Sequence, residues 1–186
     1  MIRLTMEPYA FRDILESDLP LLLEWRNSPR IHSKMLTDHK ITWEEHLNWY
    51  RRIRSDPIKK YFVFTFKAEP VGYVGFGGLN LEARTCYGGS YIGAPDKCPR
   101  DAGMYLGFMA GDYAFSKFDI DRIDTEVFAD NKRVVKLNEL FGCVFDPAKS
   151  FYVEKDGERK LVLFGVTTRE NWLKRRAELI ELLQAR

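Results

Sequence analysis

Cys98-Pro99-Arg100-Asp101-Ala102-Gly103, followed by the apolar run from Met104 to Phe118, is the stretch on which the reading of this chain turns. It predicts a tight turn opening into a buried helix. The first turn of such a helix leaves backbone N–H groups without an intrahelical acceptor. Together with the helix dipole they form a phosphate site. Leu106, Met109 and Tyr113 recur at helical spacing, and small residues at Gly107, Ala110, Gly111 and Ala114 let the helix lie close to a sheet.

Upstream, a strand from about Cys86 to Ile92 carries Gly88-Gly89 inside it and ends in the turn Gly93-Ala94-Pro95-Asp96. Downstream, Arg122 to Phe128 alternates as a strand. Ile123, Thr125 and Val127 point one way, and Arg122, Asp124, Glu126 and Phe128 the other. Asp130 or Asn131 then caps a short helix that ends at Gly142, a C′ glycine. The two segments together predict a small enzyme that uses a phosphate-bearing cofactor.

Further out, Met1 to Phe11 reads as a first strand. Asp18 caps a helix with Pro20 in its first turn, and Pro29 ends it near Asn27. Residues 30–41 read as polar and irregular. Thr42 and Glu45 form a capping box for a helix whose Trp43, Leu47, Tyr50 and Ile53 share a face. Tyr61–Phe66 and Val71–Phe76 are strands about the Glu69-Pro70 turn, with Gly77-Gly78 loosening the chain after them. Val144-Phe145 begins a strand that Phe151–Glu154 continues, and Asp156-Gly157 turns it back into Leu161–Thr167. Thr168 caps a last helix, running to Arg186, with Trp172, Leu173, Leu179 and Leu182 as its core face. The order predicts an α+β fold in one domain over residues 1–186.

The net charge of +2 gives no support for a nucleic-acid or membrane partner. Cys86, Cys98 and Cys143 are odd in number and not spaced for a metal, so they read as reduced thiols of a cytoplasmic protein. No companion ligands flank the histidines, so no metal is expected. No window approaches the length of a membrane span.

The loop 98–103, the strand Thr125-Glu126-Val127, Asn131 and the helix ending at Leu140-Phe141-Gly142-Cys143 resemble the landmarks of the GNAT N-acetyltransferase family. The resemblance runs from Trp25 to Trp172. It implies a central mixed twisted β-sheet flanked by helices, with strands ending near Ile92 and Phe128 that splay apart to admit acetyl-CoA. It places the coenzyme pyrophosphate on backbone amides of Cys98, Arg100, Asp101, Ala102, Gly103 and Met104, with Asn131 as a further cofactor residue. The family's loop is Gln/Arg-x-x-Gly-x-Gly/Ala. Here Cys98 stands first and Asp101 fourth, and only the last glycine is kept. A narrower likeness lies in Trp25-Arg26-Asn27-Ser28, in Ile41 to Trp49 and in Glu170-Asn171-Trp172. These resemble the enzymes that acetylate a UDP-linked 4-amino-4,6-dideoxy sugar in pseudaminic acid synthesis. The two-helix segment is also similar to the ribosomal-protein N-terminal acetyltransferases.

The implied chemistry is attack of a neutral amine on the thioester. It needs an oxyanion donor, a base and a proton for the leaving thiolate. A backbone N–H near Ile92 or Gly93 is expected as the oxyanion donor, and their strand end as the partner of the pantetheine arm. Glu126 is the first choice of base, with His32, His39 and His46 as alternatives. Many family members place a Tyr seven residues after Asn131. Here that position is Asn138, whose amide donates a hydrogen bond but no proton, so Tyr91 or Tyr105 becomes a substitute acid. Trp25, Trp43 and Trp49 are candidates to stack on an acceptor, Arg26 to pair with a diphosphate, and Asn27, His32 and His39 to contact it. The expected partner is a small acceptor, a UDP-amino sugar before a protein N-terminus or a small amine, for a monomer or homodimer. A CoA-binding regulatory module weak in catalysis is the alternative from another class.

Overall fold

The computed structural model describes residues 5–58 and 60–184. Residues 1–4 of the expected first strand and residues 185–186 of the expected final helix lie outside them. Two compact units divide the chain. One holds the chain up to Gly75 together with Ser90–Gly103, the other Phe76–Gly89 together with the chain from Met104 onward.

Among the described residues the strands are β1 (Thr5–Met6), β2 (Tyr9–Asp13), β3 (Tyr61–Phe66), β4 (Glu69–Asn80), β5 (Thr85–Ile92), β6 (Arg122–Phe128), β7 (Val144–Lys155) and β8 (Glu158–Thr168). They hydrogen-bond in the order β1-β2-β3-β4-β5-β6-β8-β7. The β5–β6 ladder is parallel and the other described ladders are antiparallel, so the sheet is mixed. The helices are α1 (Leu19–Asn27), α2 (Pro29–His32), α3 (Trp43–Ser55), α4 (Ala102–Lys117), α5 (Lys132–Leu140) and α6 (Arg169–Gln184).

In the first unit, α1 and α3 bury Leu19, Leu22, Trp25 and Tyr50 with Ile14, Ile31 and Val63 in one apolar cluster. The capping box forms as expected: Glu45 N–H donates to Thr42 Oγ1 at 3.2 Å and Thr42 N–H to Glu45 Oε2 at 2.7 Å. Asp18 does not cap α1. Its carboxylate takes the Leu15 N–H at 2.8 Å and both terminal nitrogens of Arg12 at 2.6 and 2.8 Å, so a non-local ion pair outcompetes the local cap. The expected first strand is two, β1 and β2, paired antiparallel. Part of the segment expected to be irregular coils into α2, with Pro29 in its first turn.

In the second unit, α4 is buried around most of its circumference, with Leu106, Phe108, Met109, Tyr113, Ala114 and Phe115 all enclosed. That is the behaviour of a helix apolar on every face. Its small residues are needed: a Cβ on Gly107 would strike Phe141, and one on Gly111 would meet Trp172 at 2.7 Å. α5 ends in a Schellman motif. Cys143 N–H reaches Asn138 C=O at 2.9 Å, Gly142 N–H reaches Glu139 C=O at 3.0 Å, and Gly142 has φ +85°. Thr168 caps α6 through a 3.1 Å bond from Asn171 N–H. The core face of α6 is Trp172, Leu179 and Leu183. Leu173 and Leu182, expected inside, are exposed, each one residue out of phase with that stripe. β4 outruns its expected bounds at both ends and absorbs Gly77 and Gly78, the latter at φ +55°. β6 buries Asp124 and Phe128 as well as Ile123 and Val127, so it is covered on both faces and not on one. The strand expected to begin at Val144 and continue at Phe151 forms as β7, bulged between Asp146 and Phe151.

Candidate active site

The residues expected to act fall in both units, and each unit is described by itself.

In the first unit, an aromatic series leads from solvent inward. Trp43 is 48% exposed and lies beside His46, and His46 stacks on Trp49 at 5.1 Å. Trp49 meets Tyr61 and Tyr73, and Tyr73 stacks on Tyr91 at 5.2 Å. At its inner end Arg26, on α1, acts electrostatically on Tyr91 and Tyr73. Burial pushes both phenols above their usual range, so both stay protonated. Burial likewise disfavours the Arg26 charge. Its Nη1 is buried with no hydrogen-bond partner among the described residues.

Of the other acceptor-side candidates, Trp25 is corrected to a core residue. It is 6% exposed, and its indole lies so close under Gly93 that a Cβ there would overlap the ring. Asn27 clamps the loop before α3, taking Ile41 N–H and donating to Ile41 C=O, both at 2.8 Å. His32 Nε2 lies 3.2 Å from His39 C=O, and His39 Nε2 lies 3.0 Å from Glu45 Oε1. These three side chains hold their own loop. His46 differs: it is 7% exposed, it bonds the Leu19 backbone, and its Nε2 has no partner among the described residues. Burial lowers its pKa, keeping the ring neutral. The sequence marked it only as an alternative base, and its burial was not legible there.

The end of β5 is more heavily used than expected. Gly93 N–H and Ala94 N–H both donate to Val71 C=O, at 2.8 and 3.1 Å. Of the two amides expected as oxyanion donor, that of Gly93 is therefore committed. Arg30 on α2, which no sequence signal marked, donates from Nη2 to Ile92 C=O at 2.8 Å and to Gly93 C=O at 2.9 Å. Burial raises the Cys98 thiol, and the nearby Arg30 charge opposes that rise. In the loop, Ala102 N–H is taken by Pro99 C=O at 3.0 Å, which removes it from the expected phosphate amides. Gly103 faces open space, since a Cβ there would meet nothing within 4 Å. That opening, with the first-turn amide of Gly103, leaves room for a phosphate group.

In the second unit, the β5–β6 ladder pairs Thr85–Tyr87 with Arg122–Asp124, and both strands continue beyond its last pair. Glu126 is exposed on β6. Asn131 precedes α5 but its side chain makes no cap bond. Asn138 Nδ2 is buried with no partner among the described residues, a donor awaiting an acceptor. Tyr105, weighed as a substitute acid, donates its hydroxyl to Leu183 C=O at 3.0 Å and is spent there. Among the described residues no cluster of His, Cys, Asp and Glu is built for a metal, and no helix is long and apolar enough to cross a membrane.

No model of a protein family matches the chain. Among curated proteins it is 32% identical over 143 residues to Acetyltransferase PseH of Campylobacter jejuni subsp. jejuni serotype O:2, covering 76% of this chain and 87% of that one. The protein of the same name from serotype O:23/36 is 29% identical over the same shares. Among solved structures, spermidine N-acetyltransferase from Vibrio cholerae, in complex with CoA and spermine, superposes with a TM-score of 0.80 at 21% identity, over 90% of this chain and 99% of that one. Ribosomal-protein-S5-alanine acetyltransferase from Vibrio fischeri gives 0.74 at 15% identity, over 92% and 99%. With its mixed sheet, flanking helices and the 32% identity to a curated acetyltransferase, the chain belongs to the GNAT family of acetyl-CoA-dependent N-acetyltransferases.

Proposed function

We propose that the protein acetylates the primary amine of a nucleotide-linked amino sugar. The observation that carries this reading is Arg26. A half-buried guanidinium with, among the described residues, an unpartnered Nη1 and no carboxylate acting on it calls for an anionic ligand. The aromatic series from Trp43 through Trp49 supplies flat faces for a base or sugar ring. A diphosphate and a ring are what a nucleotide sugar brings, whereas a polyamine brings only positive charge. The likeness of residues 25–49 to enzymes acting on UDP-linked 4-amino sugars points the same way.

Bound acetyl-CoA supplies an activated acetyl thioester. In this reading, amides at Gly103 and Met104, with Cys98, Arg100 and Asp101 in the same loop, hold its phosphates, and Asn131 makes a further contact. The strand end at Ile92 and Gly93 lies along its pantetheine arm. Glu126 takes the amine proton. Tyr91, kept protonated by burial, is the proton source for the departing sulfur.

The test is thiol release from acetyl-CoA with three acceptors: a UDP-4-amino sugar, a peptide with a free N-terminus, and spermidine. Release with the sugar nucleotide is expected. Turnover confined to the peptide or to spermidine sinks the proposal.

A further inference from the structure

All three histidines of the chain fall within residues 32–46, in the first unit. Two of them tolerate a second ring proton, and the third does not. His32 Nε2 meets His39 C=O, and a ring nitrogen that donates to a carbonyl still donates when the ring is charged. His39 faces Glu45, whose carboxylate is held below its usual range by bonds from Thr42 and from His39, so a charged His39 ring gains an ion pair.

His46 is the exception. It stands one helical turn from both Trp43 and Trp49 on α3, and it stacks on Trp49. Its partner from α1 is the Leu19 backbone, and that bond favours the charged ring, so the ring donates and the carbonyl accepts. Nε2 has no partner among the described residues, so Nδ1 makes the bond. The tautomer is thereby fixed, with the proton on Nδ1 and a buried lone pair on Nε2. A proton added at Nε2 becomes a charged donor sealed from water with no acceptor beside it among the described residues. The surroundings offer no compensation. Trp49 separates the ring from Tyr61 and Tyr73, and Glu45 on the same helix is turned to Thr42 and His39. No charged side chain among the described residues acts on His46. Trp43, half-exposed and tilted against the ring, is the wall that can give way.

We propose that His46 is an acid-sensitive switch: a proton on Nε2 expels the ring from between Trp43 and Trp49 and takes apart the flat faces offered to an acceptor. The movement of the ring stands on the geometry of α1 and α3. Its consequence for the acceptor rests on the acceptor reading above. The two outer histidines keep their own loop closed in acid while the inner one opens.

Nitrogen-15 spectra of the histidine rings read the first step in the wild-type protein. At pH 7.5 one ring should show only the Nδ1–H tautomer, and His46→Phe, which keeps a ring in the slot, should remove that signal. Between pH 7.5 and 5 its protonation should coincide with loss of the ring-current shift on the Trp49 indole, while circular dichroism shows the helices intact. Protonation with the Trp49 signal unmoved overturns the switch, as does a signal lost only together with the helices. The second step is read with the N-acetylated UDP-4-amino sugar, which has no free amine and whose diphosphate diester does not titrate in this range. Its dissociation constant by calorimetry should rise about tenfold between pH 7.5 and 5 in the wild type. In His46→Phe it should change less than about twofold, with acetyl-CoA affinity steady in both proteins. Equal weakening in both proteins overturns the switch and leaves the acceptor reading standing. No uptake of the sugar nucleotide at pH 7.5 sinks the acceptor reading, and the nitrogen spectra then still decide whether the ring moves.

Discussion

Arg169 and Arg26 are both half-buried, one in each unit, and their surroundings are opposite. Arg169 spends its guanidinium on the main chain around it: Nη1 donates to Phe115 C=O at 2.7 Å, Nη2 to Ile120 C=O at 2.6 Å, and Nε to Ile120 C=O at 3.1 Å. It thereby closes the C-terminal end of α4 and the turn that follows. Among the described residues Arg26 has an unpartnered Nη1, two neutral phenols acting on it and no carboxylate. A satisfied buried cation holds a fold together, and an unsatisfied one is a cost to the fold that only a ligand offsets. The same contrast separates Tyr105, whose hydroxyl is spent on Leu183, from Asn138, whose Nδ2 is not spent.

The sharpest way to break this comparison is Arg169→Met. It leaves the Phe115 and Ile120 carbonyls without their charged donor, and hydrogen bonds to charged groups contribute about 1.5–3 kcal/mol each. Urea unfolding should show a loss of about 3 kcal/mol, with acetyl-CoA affinity in the folded protein little changed. A loss under 1 kcal/mol would remove Arg169 as the structural member of the pair.

How much of this was legible in the chain follows from the range of each interaction. The Thr42–Glu45 box, the Gly142 terminus and the Thr168 cap are closed within a few residues, so local chemistry announces them. The apolar run of α4 likewise declares its own burial. Asp18 looked like a cap only because Arg12, its actual partner, is set by the path of β2. Trp25 looked like a stacking surface because nothing in its neighbourhood reveals that Gly93 lies against it. Arg30 follows a proline in a polar stretch and resembles any solvated arginine until β5 brings two carbonyls to it. The family's landmarks located the cofactor loop, but which of its amides are already committed depends on turns such as Pro99–Ala102.

Arg26→Met tests the other half of the comparison. Removing a half-buried charge that lacks a partner should leave stability unchanged or raise it by about 1 kcal/mol, since an apolar chain of similar length fills the space. The same change should cost about 2 kcal/mol in kcat/KM for an anionic acceptor and leave acetyl-CoA affinity alone. A stability loss as large as that of Arg169→Met would show that Arg26 is structural after all, and the comparison would collapse.

The smallest effect is carried by His46, and its sign is fixed by the direction of its shift. Burial lowers the folded-state pKa below the ordinary 6.5, so the unfolded chain binds this proton more readily than the folded one. The contribution of the neutral ring to stability is therefore complete above pH 6.5 and is lost as pH falls from there toward the folded pKa. Carboxylates held low by their partners, such as Glu45 and Asp121, lose their share only at lower pH, so the interval just below 6.5 isolates the histidine. Urea midpoints taken from pH 7 down to 5.5 should decline in the wild type with a slope bounded by one proton, and the decline should flatten in His46→Gln. If the variant declines as the wild type does, His46 is not held neutral by its burial.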